Sequence, residues 1–248
     1  DRNKEKIHFY LTENDSNGPL RRYTPSHSAL KSKEDRSFRL LHDEGGTWEY
    51  LLWVPDDEGT NGADGASSNR AGGGGVETPL STGKIAWLNN EEMGKVSAEE
   101  YFGNSRGIAR HGKELYFVSE EARRLMVVDL HERTFRAYGT ENMMMGAPDE
   151  ITVLLSPIDG QPLLFVTDRI LDGEGDGESG GGVTMFDPRD GTYNPIVRAE
   201  DNDDYVSALA FSPDGTRMYA AWVKGDDNDV ENVVYSMKRK DGKSFGFV

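Results

Sequence analysis

The sequence predicts an all-β protein, and within that class a β-propeller with about four visible blades. Short apolar runs rich in aromatic and β-branched residues recur between turn-forming residues, as they do in antiparallel sheets. Long helical periodicity is absent, since the candidate helical stretches, 89–95 and 98–102, are too short to organise a fold. A unit of about 40 to 50 residues repeats along the C-terminal two-thirds of the chain, which is the period of propeller blades.

The apolar runs have the length and composition of single strands. They are dominated by Val, Ile, Leu, Phe, Tyr and Trp, most of which suit a pleated and half-buried surface. The predicted strands are IHFYL (7–11), WEYLLWV (48–54), ELYFVS (114–119), LMVVDL (125–130), ITVLL (151–155), LLFVT (163–167), VTMF (183–186), ALAFS (208–212), MYAAWV (218–223) and VVYSM (233–237).

The repeated unit comprises a strand, a tight turn, a second strand, a variable loop, a third strand that ends in a polar turn, and a short fourth strand. Asp-Gly pairs at 190–191, 214–215 and 241–242 suit hairpin turns because glycine accepts a positive φ. Four units lie at the low end of the roughly 4–8 blades that close a ring. The chain is therefore expected to form either a small closed ring or an incomplete arc whose strand edges need another polypeptide.

The whole chain, residues 1–248, is predicted to be one propeller domain or part of one, because all-β folds of this size need not divide. A segment at about 56–75, DDEGTNGADGASSNRAGGGG, interrupts the first unit. Its Gly, Asp, Asn and Ser residues bury too little apolar surface to order it. We therefore predict a flexible insertion at this place.

The chain is strongly acidic, with a formal net charge of −16 from 44 acidic and 28 basic residues. Such a field repels phosphate backbones and concentrates cations, so no nucleic-acid partner is expected. Abundant carboxylates suit calcium, which takes about six to eight oxygen ligands. The absence of cysteine excludes disulfides and thiolate metal sites. No run approaches the roughly 20 apolar residues that cross a bilayer, so membrane insertion is not expected.

Several segments resemble, in the same order, the later blades of a known family. They are TENDSNGPLRRYTP (12–25), NSRGI (104–108), GAPDEI (146–151), SALAFSPDGTRMYAAW (207–222) and the ending VVYSMKRKDGKSF. The chain thus resembles the C-terminal portion of the PhoX-type alkaline phosphatases and their secreted relatives. The resemblance implies an arc of a six-bladed ring, with a calcium and iron cluster at the axis that binds phosphate monoesters.

The resemblance also implies candidate metal ligands. The family's Pro-Asp-Asn ligand motif falls on 148–150, where Asp149 matches and Glu150 is a changed residue that still donates oxygen. The family's Thr-Glu-Asp strand end falls on 12–14, where Glu13 matches. In place of its Arg-x-Glu-Gly motif, however, Arg106 occupies the position of a ligand Glu. Calcium remains the expected cofactor, and iron is expected only if the missing ligands are supplied elsewhere.

A second candidate calcium site lies in the acidic, glycine-rich segment 171–182. Asp172, Glu174 and Asp176 occupy alternate positions, as in the first half of a calcium-binding loop. Position twelve is Val183, where an EF-hand needs a bidentate Glu, so the EF-hand interpretation fails. A weak calcium site and a flexible acidic hairpin loop both remain open.

Three functions remain open at this point. The first is a PhoX-like propeller that acts as a non-catalytic binding or scaffold module, with calcium as its ligand. The second is a metal-dependent phosphomonoesterase. The third is a structural subunit of a larger assembly, in which a protein partner completes or caps the propeller. The resemblance suggests an extracellular or organelle-lumen location, and fold analogy alone does not decide among these functions.

Overall fold

A computed structural model of the chain describes residues 7–31, 45–56, 75–144, 146–169, 181–199, 204–224 and 231–246. Over these residues the protein is all-β, as predicted, with sixteen strands and two short helices. The strands are β1 (Phe9–Leu11), β2 (Arg21–Thr24), β3 (Thr47–Pro55), β4 (Gly75–Val76), β5 (Ser81–Leu88), β6 (Ser105–His111), β7 (Glu114–Ser119), β8 (Arg124–Asp129), β9 (Thr134–Gly139), β10 (Ala147–Leu155), β11 (Pro162–Arg169), β12 (Gly182–Asp187), β13 (Thr192–Arg198), β14 (Tyr205–Phe211), β15 (Arg217–Lys224) and β16 (Glu231–Lys238). The helices are α1 (His27–Lys31) and α2 (Glu91–Tyr101).

All ten predicted strands are confirmed, as β1, β3, β7, β8, β10, β11, β12, β14, β15 and β16. Their ends differ from the predicted ends by a few residues; β10, for example, begins at Ala147 rather than at Ile151. The predicted hairpin turns at Gly191 and Gly215 are confirmed, because they join the paired strands β12 and β13 and β14 and β15 with positive φ angles. Gly242 also has a positive φ, but its turn follows β16, and no strand comes after it in the described residues.

The strands form four antiparallel units that follow one another along the chain. The first unit is β1-β2-β3-β5, the second β6 to β9, the third β10 to β13, and the fourth β14 to β16. Pairing of β5 with β9, from Ser81 opposite Ala137 to Lys84 opposite Thr134, joins the first two units into one eight-stranded sheet. The third and fourth units are separate sheets of five and three strands, the fifth strand of the third unit's sheet being β4.

The predicted flexible insertion at 56–75 ends in a strand. Gly75 and Val76 form β4 and pair with Tyr193 and Thr192 of β13. The next residue, Glu77, donates its backbone N–H to the Gly191 carbonyl at 2.9 Å. The end of the insertion in the first unit is therefore bound to the edge of the third unit. Residues 57–74 lie outside the described part of the chain.

Three hydrophobic cores follow one another along the chain, the first enclosed by the joined first and second units, the second between the second and third units, and the third between the third and fourth. Strand β7 shows the alternation, since Leu115 and Phe117 enter the first core whereas Tyr116 and Val118 enter the second. The third core lies between the third and fourth units and includes Leu163, Phe165, Val183, Val206, Ala220 and Trp222. The first strands of the last three units also lie side by side, β6 against β10 and β10 against β14. The last three units thus pack on one another in chain order.

The prediction of two separate helical stretches, 89–95 and 98–102, was wrong. One continuous helix, α2, spans Glu91–Tyr101. Its N-terminus is capped by Asn90, whose side chain accepts a hydrogen bond from the Met93 N–H at 3.2 Å. Ser97, between the two predicted pieces, accepts the Trp53 backbone N–H at 2.9 Å and so fastens the middle of the helix to β3. Neither helix in the described ranges is long and apolar enough to cross a membrane.

Candidate functional site

The candidate site lies where the first strands of the second and third units meet. The start of β6 pairs with the end of β7, and the start of β10 pairs with the end of β11. The strands β6 and β10 approach closely, because a Cβ atom added to Gly107 would lie 2.6 Å from the Ile151 backbone nitrogen. This approach brings the side chain of Arg106 to Asp149, although 43 residues separate them in sequence.

Four charged side chains form a continuous series of ion pairs at this place, which we call the Arg106 chain: Asp149, Arg106, Glu120 and Arg169. The Nη1 atom of Arg106 donates to Oδ1 of Asp149 at 2.7 Å, and its Nε atom contacts the Glu120 carboxylate. The Nη2 atom of Arg169 donates to both Glu120 oxygens at 3.0 Å. Two cations and two carboxylates alternate, so their formal charges cancel.

The carboxylates of the Arg106 chain are shielded from solvent. The side chains of Asp149 and Glu120 are each 12% exposed, and that of Arg106 is 23% exposed. Charge-assisted hydrogen bonds in such surroundings are stronger than neutral ones, at about 1.5–3 kcal/mol each. A partly buried carboxylate that lost its cation would pay a desolvation cost without compensation. The series therefore stabilises the contact between the second and third units.

Asp168, a fully buried residue, positions the turn that precedes Asp149. Its two carboxylate oxygens accept the backbone N–H groups of Gly146 at 3.0 Å and Gly182 at 2.8 Å. The guanidinium of Arg198 lies 3.7 Å away. Asp168 thereby fastens the start of β10 to the start of β12 and fixes where Asp149 is presented.

Glu150 is adjacent to Asp149 but faces different surroundings. Its backbone N–H donates to Oγ1 of Thr167 at 3.0 Å, whereas the residue as a whole is exposed. Partial desolvation of the carboxyl group raises the pKa of Glu150, and the negative charge of Asp149 raises it further. The Ile151 backbone N–H and the charge of Arg106 lower the pKa but do not overcome these effects. A bound cation would favour the charged form of Glu150.

The third candidate ligand, Glu13, is paired elsewhere. Its carboxylate lies 3.0 Å from Nη2 of Arg21 on β2. The loop that carries Glu13 does approach β6, because the Asn104 backbone N–H donates to the Asp15 carbonyl at 2.8 Å. Across the described ranges, however, no three His, Asp or Glu side chains converge in a way that could hold a metal ion. The other three candidates, Asp172, Glu174 and Asp176, lie outside the described residues.

The charged groups around Asp149 do not fit a calcium and iron cluster. One Asp149 oxygen already accepts a hydrogen bond from a guanidinium, and a metal ion beside it would face the positive charge of Arg106. At about 4 Å and an effective dielectric constant of about 20, that repulsion is about 4 kcal/mol per unit of cation charge. In this geometry Arg106 supplies the positive charge next to Asp149 that a metal ion would otherwise supply.

Glu120 and Arg169 were missed by sequence reasoning. Each occupies the end of the second strand of its unit, Glu120 directly after ELYFVS and Arg169 at the end of LLFVTDR. This common position was a usable signal, because equivalent strand ends of stacked units meet at one end of the molecule. Which opposite charges would pair there depends on the approach of the units, which the repeat does not specify.

Comparison with known proteins gives a distant structural similarity. No protein-family model and no curated protein sequence matches the chain. Among solved structures, the chain is similar to a crystal structure from Clostridium novyi NT, described as that of a proposed conserved lipoprotein. The TM-score is 0.38 at 11% sequence identity, with 55% of this chain and 88% of the other chain covered. A similarity at this level carries no argument about function.

Proposed function

We propose that this chain is a β-propeller-type arc that acts as a non-catalytic binding or scaffold module. The observation that carries the proposal is the Arg106 chain. It uses Asp149 and Glu120, the shielded carboxylates at the meeting point of two units, to hold the sheets together. A catalytic metal site needs carboxylates that are free to bind the ion.

The propeller part of the proposal is supported by the order and stacking of the units. Each unit is an antiparallel meander, each of the last three begins with an innermost strand beside that of its neighbour, and a core fills each space between units. One feature departs from separate blades, since β5 and β9 join the first two units edge to edge. We therefore propose an arc of stacked units with a joined first pair.

We propose a non-catalytic module because of the residue at position 106. The resemblance implies a metal-ligand Glu at this position, and the chain carries an arginine that pairs with the candidate ligand Asp149. We therefore assign no catalytic role to Asp149, Glu150 or Glu13. Calcium remains a proposal for the segment containing Asp172, Glu174 and Asp176, for which the charge of −16 supplies a favourable field.

The expected partner of such a module is a protein that completes or caps the arc. Exposed sheet faces and edges at the ends of stacked units are the surfaces by which such units combine. We keep the extracellular or organelle-lumen location as a proposal that rests on the resemblance. The net charge of −16 disfavours nucleic acid as the partner.

Hydrolysis of a chromogenic phosphate monoester, with calcium and iron supplied, tests this proposal. We expect the purified chain to release no more product than a buffer blank, and we expect Asp149→Ala to behave identically. Turnover by the wild-type chain that Asp149→Ala abolishes would establish the phosphomonoesterase instead. Circular dichroism of both proteins ensures that a lack of turnover does not reflect unfolding.

A further inference from the structure

The fourth unit has one strand fewer than the units before it. Strands β5, β9 and β13 are the fourth strands of the first three units, whereas the fourth unit ends at β16. No described strand pairs with the outer edge of β16. After the turn at Gly242, the Phe245 backbone N–H donates to the Gly215 carbonyl at 2.9 Å. The chain therefore turns back towards the β14–β15 turn instead of continuing along β16.

The outermost edges of the preceding units are all paired or interrupted. Strands β5 and β9 pair with each other. Strand β13 pairs with β4 and contains Pro195, which has no N–H to offer a further strand. In contrast, β16 pairs with β15 without a bulge, and its interior, 232–237 (NVVYSM), contains neither charge nor proline. Because sheets protect exposed edges with charges, proline or bulges, an unprotected edge indicates a place where a strand is added.

The third core is partly uncovered next to this edge. Register places Tyr235 opposite Ala220 and Val233 opposite Trp222, so both side chains of β16 face the third core. The rings of Trp222 and Tyr235 meet edge to face, with centroids 6.2 Å apart, yet Tyr235 is 40% exposed. In the first core, Phe135 comes from the fourth strand of its unit and is 1% exposed. An apolar side chain on an added strand would cover Tyr235 in the same way.

The two ends of this edge differ in charge. Lys238 ends β16, Arg217 lies opposite it on β15, and Lys240 follows in the turn; all three are exposed. The other end of β16 begins with Glu231. A strand antiparallel to β16 would start beside the basic end, as β9 and β13 start beside the ends of β8 and β12. Acidic residues at the start of such a strand and basic residues at its end would complement β16.

We propose that an extended segment of another protein adds to β16 as the missing fourth strand of the fourth unit. The edge determines the chemistry of this segment: acidic first residues, an uncharged middle in which apolar and polar side chains alternate, and a basic end. In strand addition, backbone hydrogen bonds give affinity and the alternate side chains give specificity. The inference rests on the proposed function and deepens it, because it names the edge at which a partner completes the arc.

Fluorescence anisotropy with a labelled peptide, EETFTAYTKK, tests the proposal on the whole chain. Its middle follows TFRAY of β9, in which Phe135 and Ala137 face the first core. The peptide has no net charge when its termini are blocked, so the charge of −16 on the chain does not decide its binding. We expect saturable binding that is about three- to tenfold weaker for KKTFTAYTEE, which has the same composition with the charges exchanged.

A proline-containing peptide, EETFPPYTKK, distinguishes strand addition from other modes of binding. Successive residues of a strand direct their N–H groups to opposite edges, so two adjacent prolines remove a donor from each edge. This peptide should not bind. Binding of EETFPPYTKK as tight as that of EETFTAYTKK, or no binding of EETFTAYTKK, would overturn the inference.

A charge reversal on the protein tests the direction of the added strand. Lys238→Glu should weaken binding of EETFTAYTKK about threefold and strengthen binding of KKTFTAYTEE. The matched control is Lys84→Glu, which changes the net charge equally at an exposed position of β5 and should leave both affinities unchanged. Equal effects of the two variants would show that the peptide does not lie antiparallel along β16.

Amide hydrogen exchange, measured residue by residue, shows whether the peptide lies on β16. Alternate amides of β16 point to β15 and to the free edge, and the second set should exchange fast until the peptide is added. Slow exchange of every β16 amide in the chain alone would overturn the inference. If that protection is lost on dilution, a second copy is the occupant; if it persists, the chain covers its own edge. An inactive chain that does not bind the peptide refutes this inference alone, whereas a phosphatase-active chain that binds it refutes only the proposed function.

Discussion

Replacing Gly107 with alanine tests how closely the second and third units approach. Gly107 has a φ of 39°, and an added Cβ would lie 2.6 Å from the Ile151 nitrogen and 2.9 Å from the Glu150 Cα. Both neighbours are backbone atoms, so the methyl group cannot be accommodated by rotating a flexible side chain. The strands β6 and β10 would have to separate, and with them Arg106 and Asp149.

The expected cost has two parts. The left-handed backbone conformation costs alanine about 1 kcal/mol, and forcing extra volume into a packed contact costs about 1–3 kcal/mol more. Gly112→Ala is the matched control, because Gly112 has a φ of 55° and nothing lies within 4 Å of its added Cβ. That variant should lose about 1 kcal/mol only.

Urea unfolding followed by tryptophan fluorescence measures both losses. We expect equal m-values and a free energy of unfolding about 1–3 kcal/mol lower for Gly107→Ala than for Gly112→Ala. Equal losses in the two variants would refute the close approach of β6 and β10. The geometry that pairs Arg106 with Asp149 would then lose its basis.

Three further predictions concern single side chains. Arg106→Gln should destabilise the protein by about 2 kcal/mol in urea unfolding, since Asp149 loses its cation, whereas Arg110→Gln on the same strand should change stability by about 0.5 kcal/mol or less. Glu150→Gln should raise Tm at pH 7, because the raised pKa of Glu150 means that folding disfavours its charged form. Scanning calorimetry should show that this gain in Tm vanishes below the ordinary pKa of 4.5. A gain in Tm that does not depend on pH would contradict the explanation. Asp214→Ala should lower the unfolding midpoint at pH 7, because hydrogen bonds from Ser212 and Thr216 hold the pKa of Asp214 at about 2. The difference in unfolding midpoint between Asp214→Ala and wild type should narrow between pH 3.8 and about 2. A difference that stays constant with pH would contradict this prediction.

Strand content was predictable because it depends on local composition and turn chemistry. Runs such as ELYFVS and LLFVT consist of strand-forming residues bounded by turns, and each forms a strand in the expected place. The sequence indicated two short helical stretches where the structure has the single helix α2, which continues through Ser97. The hydrogen bond of Ser97 with the Trp53 N–H, 44 residues away, is a tertiary contact that local reasoning does not contain.

The sequence repeat did not predict which strands pair between units. Nothing in the local sequence indicates that β5 pairs with β9, or that Gly75 and Val76 join the sheet of the third unit. These contacts depend on the path of long connections rather than on strand propensity.

The candidate site was located in part. Asp149 was identified as a candidate metal ligand, and Arg106 was identified as the residue in place of a ligand Glu. Their direct pairing was not predicted, because it requires the close approach of β6 and β10 at Gly107. Arg106 and Asp149 were noted separately in the sequence, and they form one ion pair because β6 and β10 lie side by side.

The central claim is that Arg106, rather than a metal ion, provides the positive charge next to Asp149. A double-mutant cycle with Arg106→Gln and Asp149→Asn, measured by urea unfolding in calcium and again in chelator, tests it most directly. The account predicts a coupling free energy of about 2 kcal/mol that is the same in both conditions. A coupling near zero, or one that calcium abolishes while stabilising the wild-type chain, would contradict it.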